Sequence, residues 1–561
     1  MMKRSVVIVR FAALAAAVRD AVAQPRATSR GRRMSFVLAL AAWIAPMVVA
    51  DAQQLPLAPS VSLAQEPTVA VTGGQIRGAR LAQGGAVFKG IPYAQPPVGD
   101  LRWREPMPVR PWQGVRDTKE FGAMCAQRPA FVPATVTSSE DCLFLNVWTS
   151  EWPARSPAPV MVWIPGGGNF AGGSSFLMFD GERLARRGVV VVTINYRLGA
   201  FGFFSHPALT RESSHQASGN QGILDQIAAL KWVQENIKSF GGDPDNVTIF
   251  GESAGSHDVG VLMTSPLSKG LFAKVIGESG AVVLQGDPLT LREAERRGEE
   301  KAARWKAGAS IEALRAVPAA SILDAEPDYT TGRVNVAAVF PNLGITVDGY
   351  VFPKKPAEAF AAGQQHGVAL LLGNNAREQV PGSNPPKDLS KVIAEVYGPL
   401  APRAQALYVG SADPAYGTPA EQWGTDTSFR CGAVQQLLWH ARAGHTAYEY
   451  EFARVPLGRE ALGSTHGSEL PHVFGTLDTA VIGVGPFAEV DFQISEVMQR
   501  YWTNFAKAGD PNDGKLPKWP PFDVSSRAHI QFTDAGPIAK EGLRRPFCDL
   551  FMENVARLMK Q

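Results

Sequence analysis

Gly251-Glu252-Ser253-Ala254-Gly255 follows directly on Asp245-Asn246-Val247-Thr248-Ile249-Phe250. The earlier stretch ends in the apolar and β-branched pattern of a strand, and the residues after Gly255 are compatible with a helix. A serine between glycines at such a junction sits on a tight turn in strained backbone geometry. Neighbours without side chains let strand and helix approach closely there. The turn pushes the hydroxyl out of the sheet, and the helix N-terminus behind it favours developing negative charge. Glycine and serine are common, so G-x-S-x-G alone is a weak signal. Here it occurs once, in the strand–turn–helix setting that gives it meaning. Ser253 is the candidate nucleophile.

Similar strand-like runs lie on either side of this turn: Val69 to Ile76, Val160 to Ile164, Val189 to Ile194, Val368 to Leu372 and Tyr448 to Phe452. Between them, Gly222 to Lys238 places Ile223, Ile227, Leu230, Val233 and Ile237 at helical spacing. Near-continuous apolar strands alternating with helices predict an α/β fold with a large, mostly parallel sheet covered on both faces. No internal repeat and no dividing linker is visible, and Val380 to Lys387 reads as a surface loop. A single domain over residues 60–561 is the economical division.

Of the 561 residues 45% are hydrophobic and 19% charged, as in a protein with a large core, and the net charge is only +3. Much of the positive excess comes from Lys3, Arg4, Arg10, Arg19, Arg26, Arg30, Arg32 and Arg33. The remainder is slightly acidic, which argues against nucleic-acid or anionic-membrane partners. Residues 1–52 read as a targeting segment. A basic stretch ends at Arg33, an apolar run covers Phe36 to Val49, and Ala50-Asp51-Ala52 resembles a cleavage site before Gln53. The rival reading is a membrane anchor, but the run is short and contains Pro46, so export to the periplasm or beyond is expected, without stable membrane insertion. A second apolar stretch, Val6 to Ala23, is broken by Arg10 and Arg19, and fits either a long leading region or a misplaced start codon. In an exported chain the four cysteines, Cys125, Cys142, Cys431 and Cys548, suggest two disulfides. Three pairings are possible. The simplest joins sequence neighbours, Cys125 with Cys142 and Cys431 with Cys548. No C-x-x-C pair or Cys/His cluster has metal-ligand spacing, so neither a metal nor a cofactor is expected.

Acyl transfer needs an oxyanion hole, a base and a group to orient that base. Pro165-Gly166-Gly167-Gly168-Asn169-Phe170 follows the Val160–Ile164 run, and its glycines leave backbone N–H groups unobstructed. A phosphate loop is the alternative, but the lysine and hydroxyl residue such a loop needs are missing. Among nine histidines, His466 stands out in the small-residue loop Gly463-Ser464-Thr465-His466-Gly467. His257 is expected to point along the helix after Ser253, and His440 and His472 read as packing residues. Glu378 follows the Val368–Leu372 run across Gly373-Asn374-Asn375-Ala376-Arg377, a strand-end position suited to a functional acid. The order Ser, acid, His is the one expected of an α/β-hydrolase fold.

These residues stand within a wider likeness. Phe88-Lys89-Gly90-Ile91-Pro92-Tyr93-Ala94, Leu101-Arg102-Trp103, Ser139 to Val147, Asn195 to Gly199, Gly219 to Gly222, Phe250 to Gly255 and His466 to Pro471 resemble the type-B carboxylesterase/lipase family, which includes the cholinesterases. The resemblance runs from about Val69 to Cys548. It implies Ser253 as nucleophile, Glu378 as triad acid, His466 as base, and Gly167, Gly168 and Ala254 as oxyanion donors. It also implies a supporting role for Glu252, an Arg102–Glu140 ion pair and the neighbour-to-neighbour disulfides. The reaction so implied is hydrolysis of a small-molecule carboxylic ester through an acyl-enzyme intermediate.

The chain departs from that family at several places. Pro165 and Asn169 stand where an aromatic or histidine and a further aromatic are usual. Ser256-His257-Asp258 replaces small residues, and Arg377 takes the place of an acid. Two expectations follow. Either Asp258 pairs with a neighbouring cation and Arg377 is solvated, or Asn169, His257, Asp258 and Arg377 line a pocket for a polar or carboxylate-bearing ester. The loop between Cys125 and Cys142 holds Phe131 but no tryptophan, which argues against choline esters. A non-catalytic interaction protein of the same fold and an acyltransferase using the same residues are the alternatives.

Overall fold

Eleven strands form one sheet: β1 (Ala79–Arg80), β2 (Ala86–Pro92), β3 (Phe144–Thr149), β4 (Ala158–Ile164), β5 (Val190–Ile194), β6 (Gly242–Glu252), β7 (Lys274–Glu278), β8 (Ala369–Asn375), β9 (Ala447–Phe452), β10 (Ala528–Thr533) and β11 (Gly536–Glu541). Their spatial order is β11-β10-β9-β8-β7-β6-β4-β5-β3-β2-β1. From β10 to β5 every neighbouring pair is parallel, and the flanking strands β11, β3, β2 and β1 pair antiparallel. This computed structural model describes residues 66–128, 132–133, 136–283, 287–327, 341–378, 386, 388–479 and 486–559. The segment 1–52, the lead-in Leu55 to Gln65, Phe131, and Val380 to Lys387 apart from Pro386 lie outside the described residues. All described residues fall in one compact unit beginning at Gln65.

Alternation along the strands divides their apolar side chains between two cores. Val160, Val162, Ile164, Val190, Val192, Ile194, Val247, Ile249, Leu370 and Leu372 share one core with the helices α1 (Gln221–Asn236), α2 (Ala254–Leu262) and α3 (Cys431–Arg442). Met161, Trp163, Val191, Phe250, Ile276 and Leu371 share the other with α4 (Glu489–Ala508), through Ile494, Met498, Tyr501, Trp502 and Phe505. Burial of each such side chain contributes about 1.5–3 kcal/mol. A one-residue slip of any central strand would exchange the two sets, so the register is strongly specified.

The expected run Val69 to Ile76 is instead two short strands, Thr68–Val71 and Gly74–Arg77, paired antiparallel in a separate small sheet. Gly73, at φ 101°, makes the reversal between them. The expected helix matches α1, and its last turn tightens into a 3₁₀ segment, Ile237–Phe240. Among the described residues no helix is long and apolar enough to cross a membrane, and no group of His, Cys, Asp or Glu is arranged to hold a metal ion.

Both disulfides join sequence neighbours, Cys125 with Cys142 and Cys431 with Cys548. The second ties the start of α3 to α5 (Arg545–Leu558) across 117 residues, while the first closes a loop of 17. Cross-linking the unfolded chain over the longer span removes more entropy. Replacing Cys431 and Cys548 by serine is expected to lower the free energy of urea unfolding by about 5 kcal/mol, against about 3 kcal/mol for Cys125 and Cys142.

Candidate active site

Across the sheet, β9, β8, β7, β6 and β4 are adjacent and parallel, so their carboxyl ends lie along one edge. The segments leaving that edge carry the candidate groups, the usual place for a site in such a sheet. Ser253 follows β6 with φ 57° and ψ −120°, a conformation that costs a non-glycine residue about 1–3 kcal/mol. Close backbone packing holds it there. A Cβ on Gly255 would lie 2.0 Å from the Ile164 carbonyl oxygen at the end of β4, and one on Gly166 would lie 2.4 Å from that of Glu252. The Ser253 N–H donates to the Glu278 carbonyl at 2.8 Å, fixing the turn to the end of β7.

The loop after β4 runs beside this turn, since a Cβ on Gly166 would also come to 3.0 Å from that of Ser253. Gly167, Gly168 and Asn169 have φ of 107°, 65° and 60°. Among the described residues, the backbone N–H groups of Gly167, Gly168 and Ala254 have no protein acceptor. Unengaged amides beside a candidate nucleophile are unusual, and they are what a developing oxyanion requires. Tyr196, which the motif Asn195 to Gly199 contributes, sets the loop's position: its hydroxyl lies 2.8 Å from the Pro165 carbonyl and 2.7 Å from Asn169 Oδ1.

Glu378 and His466 leave β8 and β9 and meet across the edge, with His466 Nδ1 2.8 Å from Glu378 Oε2. The Asn375 N–H donates to Glu378 Oε1 at 2.5 Å, and the Glu378 N–H donates to Thr425 Oγ1 at 3.0 Å. The two loops are also tied together: Arg377 N–H donates to the Ser464 carbonyl at 3.0 Å and Asn375 Nδ2 to that of Thr465 at 2.7 Å. The Phe429 ring packs on the imidazole with centroids 4.7 Å apart. Nε2 of His466 lies 3.2 Å from Glu252 Oε1 and makes no hydrogen bond to the adjacent Ser253 hydroxyl in this arrangement. The Glu252 contact is close but misaligned, for that oxygen has no hydrogen-bond partner among the described residues. Catalytic contacts are often loose before substrate binds.

Buried carboxylates dominate the electrostatics. Burial depresses the His466 pKa, but the Glu252 and Glu378 carboxylates outweigh it and raise it to about 9. Burial lifts Glu252 to about 7, with the imidazole opposing. Glu278, also lifted by burial, reaches about 8 although Trp502 Nε1 donates to it at 2.7 Å. Burial and the nearby carboxylates push Glu469 well above the carboxylate range. None of Glu278, Glu469 or Thr425 was legible as part of the site. Glu469 lay within the resembling motif, whereas Glu278 and Thr425 carried no local signal.

Two expectations need correction. Asn169, His257 and Asp258 are fully buried, and they bond one another instead of lining an open pocket. Among the described residues Asp258 meets no lysine or arginine; Oδ1 accepts from Asn169 Nδ2 at 3.0 Å and Oδ2 from Gln226 Nε2 at 2.6 Å. His257 Nε2 lies 2.8 Å from Asn342 Oδ1. Arg377 is neither solvated nor free to meet a substrate carboxylate, because its guanidinium donates to the Ala415, Ala461 and Pro414 carbonyls. Of the other histidines, His440 and His472 are fully buried, with ring nitrogens 2.9 Å from the Val368 carbonyl and 3.3 Å from Asp491 respectively. The Arg102–Glu140 pair is present and bidentate, at 2.7 and 2.5 Å.

A central parallel sheet of this order, with a strained serine turn after its β6 strand, is the α/β-hydrolase fold, and the molecule is a carboxylic-ester hydrolase of that fold. The chain belongs to the carboxylesterase family, whose model matches residues 65–392 and 408–551. It is 37% identical over 453 residues to the fumonisin B1 esterase of Sphingopyxis macrogoltabida, covering 78% of this chain and 81% of that one. Carboxylesterase 1E of Rattus norvegicus is 35% identical, covering 78% and 84%. Among solved structures, PNB esterase superposes with a TM-score of 0.74 at 32% identity, over 86% of this chain and all of that one. A Geobacillus stearothermophilus carboxylesterase gives 0.73 at 32% identity, over 86% and 99%. The interaction-protein alternative finds no support among these enzymes.

Two outcomes follow from this geometry. Glu252→Gln removes the anion nearest Nε2, so the His466 imidazole should lose its proton at lower pH than the wild-type value of about 9. An NMR titration of ¹³C-labelled histidine measures this, and an unchanged midpoint would contradict the assigned cause. Arg377→Ala should reduce hydrolysis of anionic and neutral esters by the same factor, because the guanidinium holds loops and not substrate.

Proposed function

We propose that Ser253, His466 and Glu378 form the hydrolytic centre and that the amides of Gly167, Gly168 and Ala254 receive the oxyanion. The contact of His466 Nδ1 with Glu378 Oε2, at 2.8 Å, carries this reading. It holds the imidazole with Nε2 toward Glu252, the residue before Ser253, and catalysis requires that nitrogen to turn from Glu252 to the Ser253 hydroxyl. His466 then takes the Ser253 proton as Oγ attacks the ester carbonyl. Glu378 keeps the tautomer and steadies the imidazolium, and negative charge develops on the carbonyl oxygen among the three amides. The imidazolium gives its proton to the departing alcohol, leaving an acyl-Ser253 ester. Water, activated by the same imidazole, repeats the sequence and frees the acid. Because the base acts neutral, kcat/KM should rise with pH as His466 loses its proton.

Two disulfides suit an oxidising compartment, so export directed by residues 1–52 is part of this proposal. The substrate is a small-molecule ester. The residues that favoured a carboxylate-bearing one are engaged inside the protein, and the strongest remaining pointer is likeness to an esterase named for fumonisin B1. That compound belongs in the first assay panel beside 4-nitrophenyl esters.

Ser253→Ala and His466→Ala should each reduce kcat on 4-nitrophenyl acetate to near background. Glu378→Gln should leave the site's shape but cost roughly 10³–10⁴-fold. An organophosphate should label the wild type at Ser253 and leave Ser253→Ala unmodified by mass spectrometry. Substantial turnover in either alanine variant would refute the assignment.

A further inference from the structure

The two halves of the oxyanion hole come from different parts of the chain. Ala254 opens α2, whereas Gly167 and Gly168 belong to the loop after β4, and the backbone approach at Gly166 and Gly255 brings the two segments side by side. A side-chain contact also spans them. Asn169, directly after the glycines, donates from Nδ2 to Oδ1 of Asp258, which lies on α2 itself, at 3.0 Å. The remaining side-chain contacts and the backbone carbonyl of Asn169 are also engaged. Nδ2 donates to the Leu343 carbonyl at 3.1 Å, Oδ1 accepts from Tyr196 at 2.7 Å, and the backbone carbonyl accepts from Gly199 N–H at 2.7 Å. Asp258 is held from two further sides, by Gln226 Nε2 at 2.6 Å and His257 Nδ1 at 3.3 Å. Both residues are fully buried, where a hydrogen bond to a carboxylate is strong and losing one partner is costly. Asn169 also takes φ 60°, a left-handed conformation that asparagine tolerates better than most residues.

We propose that the Asn169–Asp258 hydrogen bond is the clasp that sets the Gly167 and Gly168 amides relative to Ala254 and Ser253, making both residues positioning residues for oxyanion stabilisation. The proposal rests on the reading of Ser253 and the three amides given above. Neither residue touches substrate. Their effect should therefore appear where charge develops on the carbonyl oxygen and leave ground-state binding almost unchanged.

Asn169→Asp places a second carboxylate oxygen against Asp258 and the Leu343 carbonyl. The exchange Asn169→Asp with Asp258→Asn restores a donor and an acceptor across the gap. On 4-nitrophenyl acetate, N169D should lower kcat by about 10- to 100-fold with KM within about twofold. It should weaken inhibition by a trifluoromethyl ketone, whose adduct carries an oxyanion, by a similar factor. The exchanged pair, in which the carboxylate at position 169 still faces the Leu343 carbonyl, should regain part of both losses. If N169D does not accumulate folded, Asn169→Ala provides the same kinetic comparison. Loss confined to KM, unchanged ketone affinity, or no recovery in the exchanged pair would overturn the clasp. Ser253→Ala separates the two levels: if it stays active the underlying reading fails, and if it is dead while N169D behaves as wild type only the clasp fails.

Discussion

The site depends on backbone approaching backbone where β4 and β6 end. Gly255 lies against the Ile164 carbonyl and Gly166 against that of Glu252, at separations where any side chain would collide. That contact lets Ser253 sit in a conformation serine does not otherwise hold, and it seats the glycine loop next to the hydroxyl. The strain is borne by the sheet, whose central strands are buried on both faces and pinned in register by two independent cores. Without the rigid sheet the turn would relax. Without the glycines it would not form.

Charge completes what packing begins. The imidazole of His466 lies between Glu378, which holds Nδ1, and Glu252, which faces Nε2. Glu278 and Glu469 stand behind them in a region from which water is largely excluded. Burial makes Glu252, Glu278 and Glu469 reluctant to ionise, and a carboxylate beside the imidazole strengthens the hold on its proton. The site thus joins a proton acceptor with raised basicity to amides that have no acceptor among the described residues. Both features suit a reaction in which a proton moves one way while negative charge gathers a few ångströms off.

How much of this was legible follows the range of the forces involved. The Ser253 turn is written locally, in glycines flanking a serine after an apolar strand, and so are the central strands, whose apolar runs mark double-sided burial. The turn at Gly73 broke one expected strand because a glycine at positive φ reverses the chain within a run that still alternates. The partnership of Glu378 with His466 joins residues 88 positions apart. Strand-end placement, and for His466 a loop of small residues, made them candidates, and family resemblance strengthened both. Asn169, Asp258 and Arg377 were misread for the opposite reason. A polar residue near a site looks like a ligand contact until the fold shows which partners have enclosed it, and enclosure is a tertiary property. Thr425 and Glu278 gave no signal at all, since each acts through a geometry assembled from distant strands.

The most direct measurement is a crystal structure of the protein after reaction with an organophosphonate ester. Phosphorus bonded to Ser253 Oγ, the phosphoryl oxygen within hydrogen-bond distance of the Gly167, Gly168 and Ala254 amides, and His466 Nε2 turned from Glu252 toward the adduct are the expected result. An adduct on another residue, or a phosphoryl oxygen pointing away from all three amides, would contradict the account.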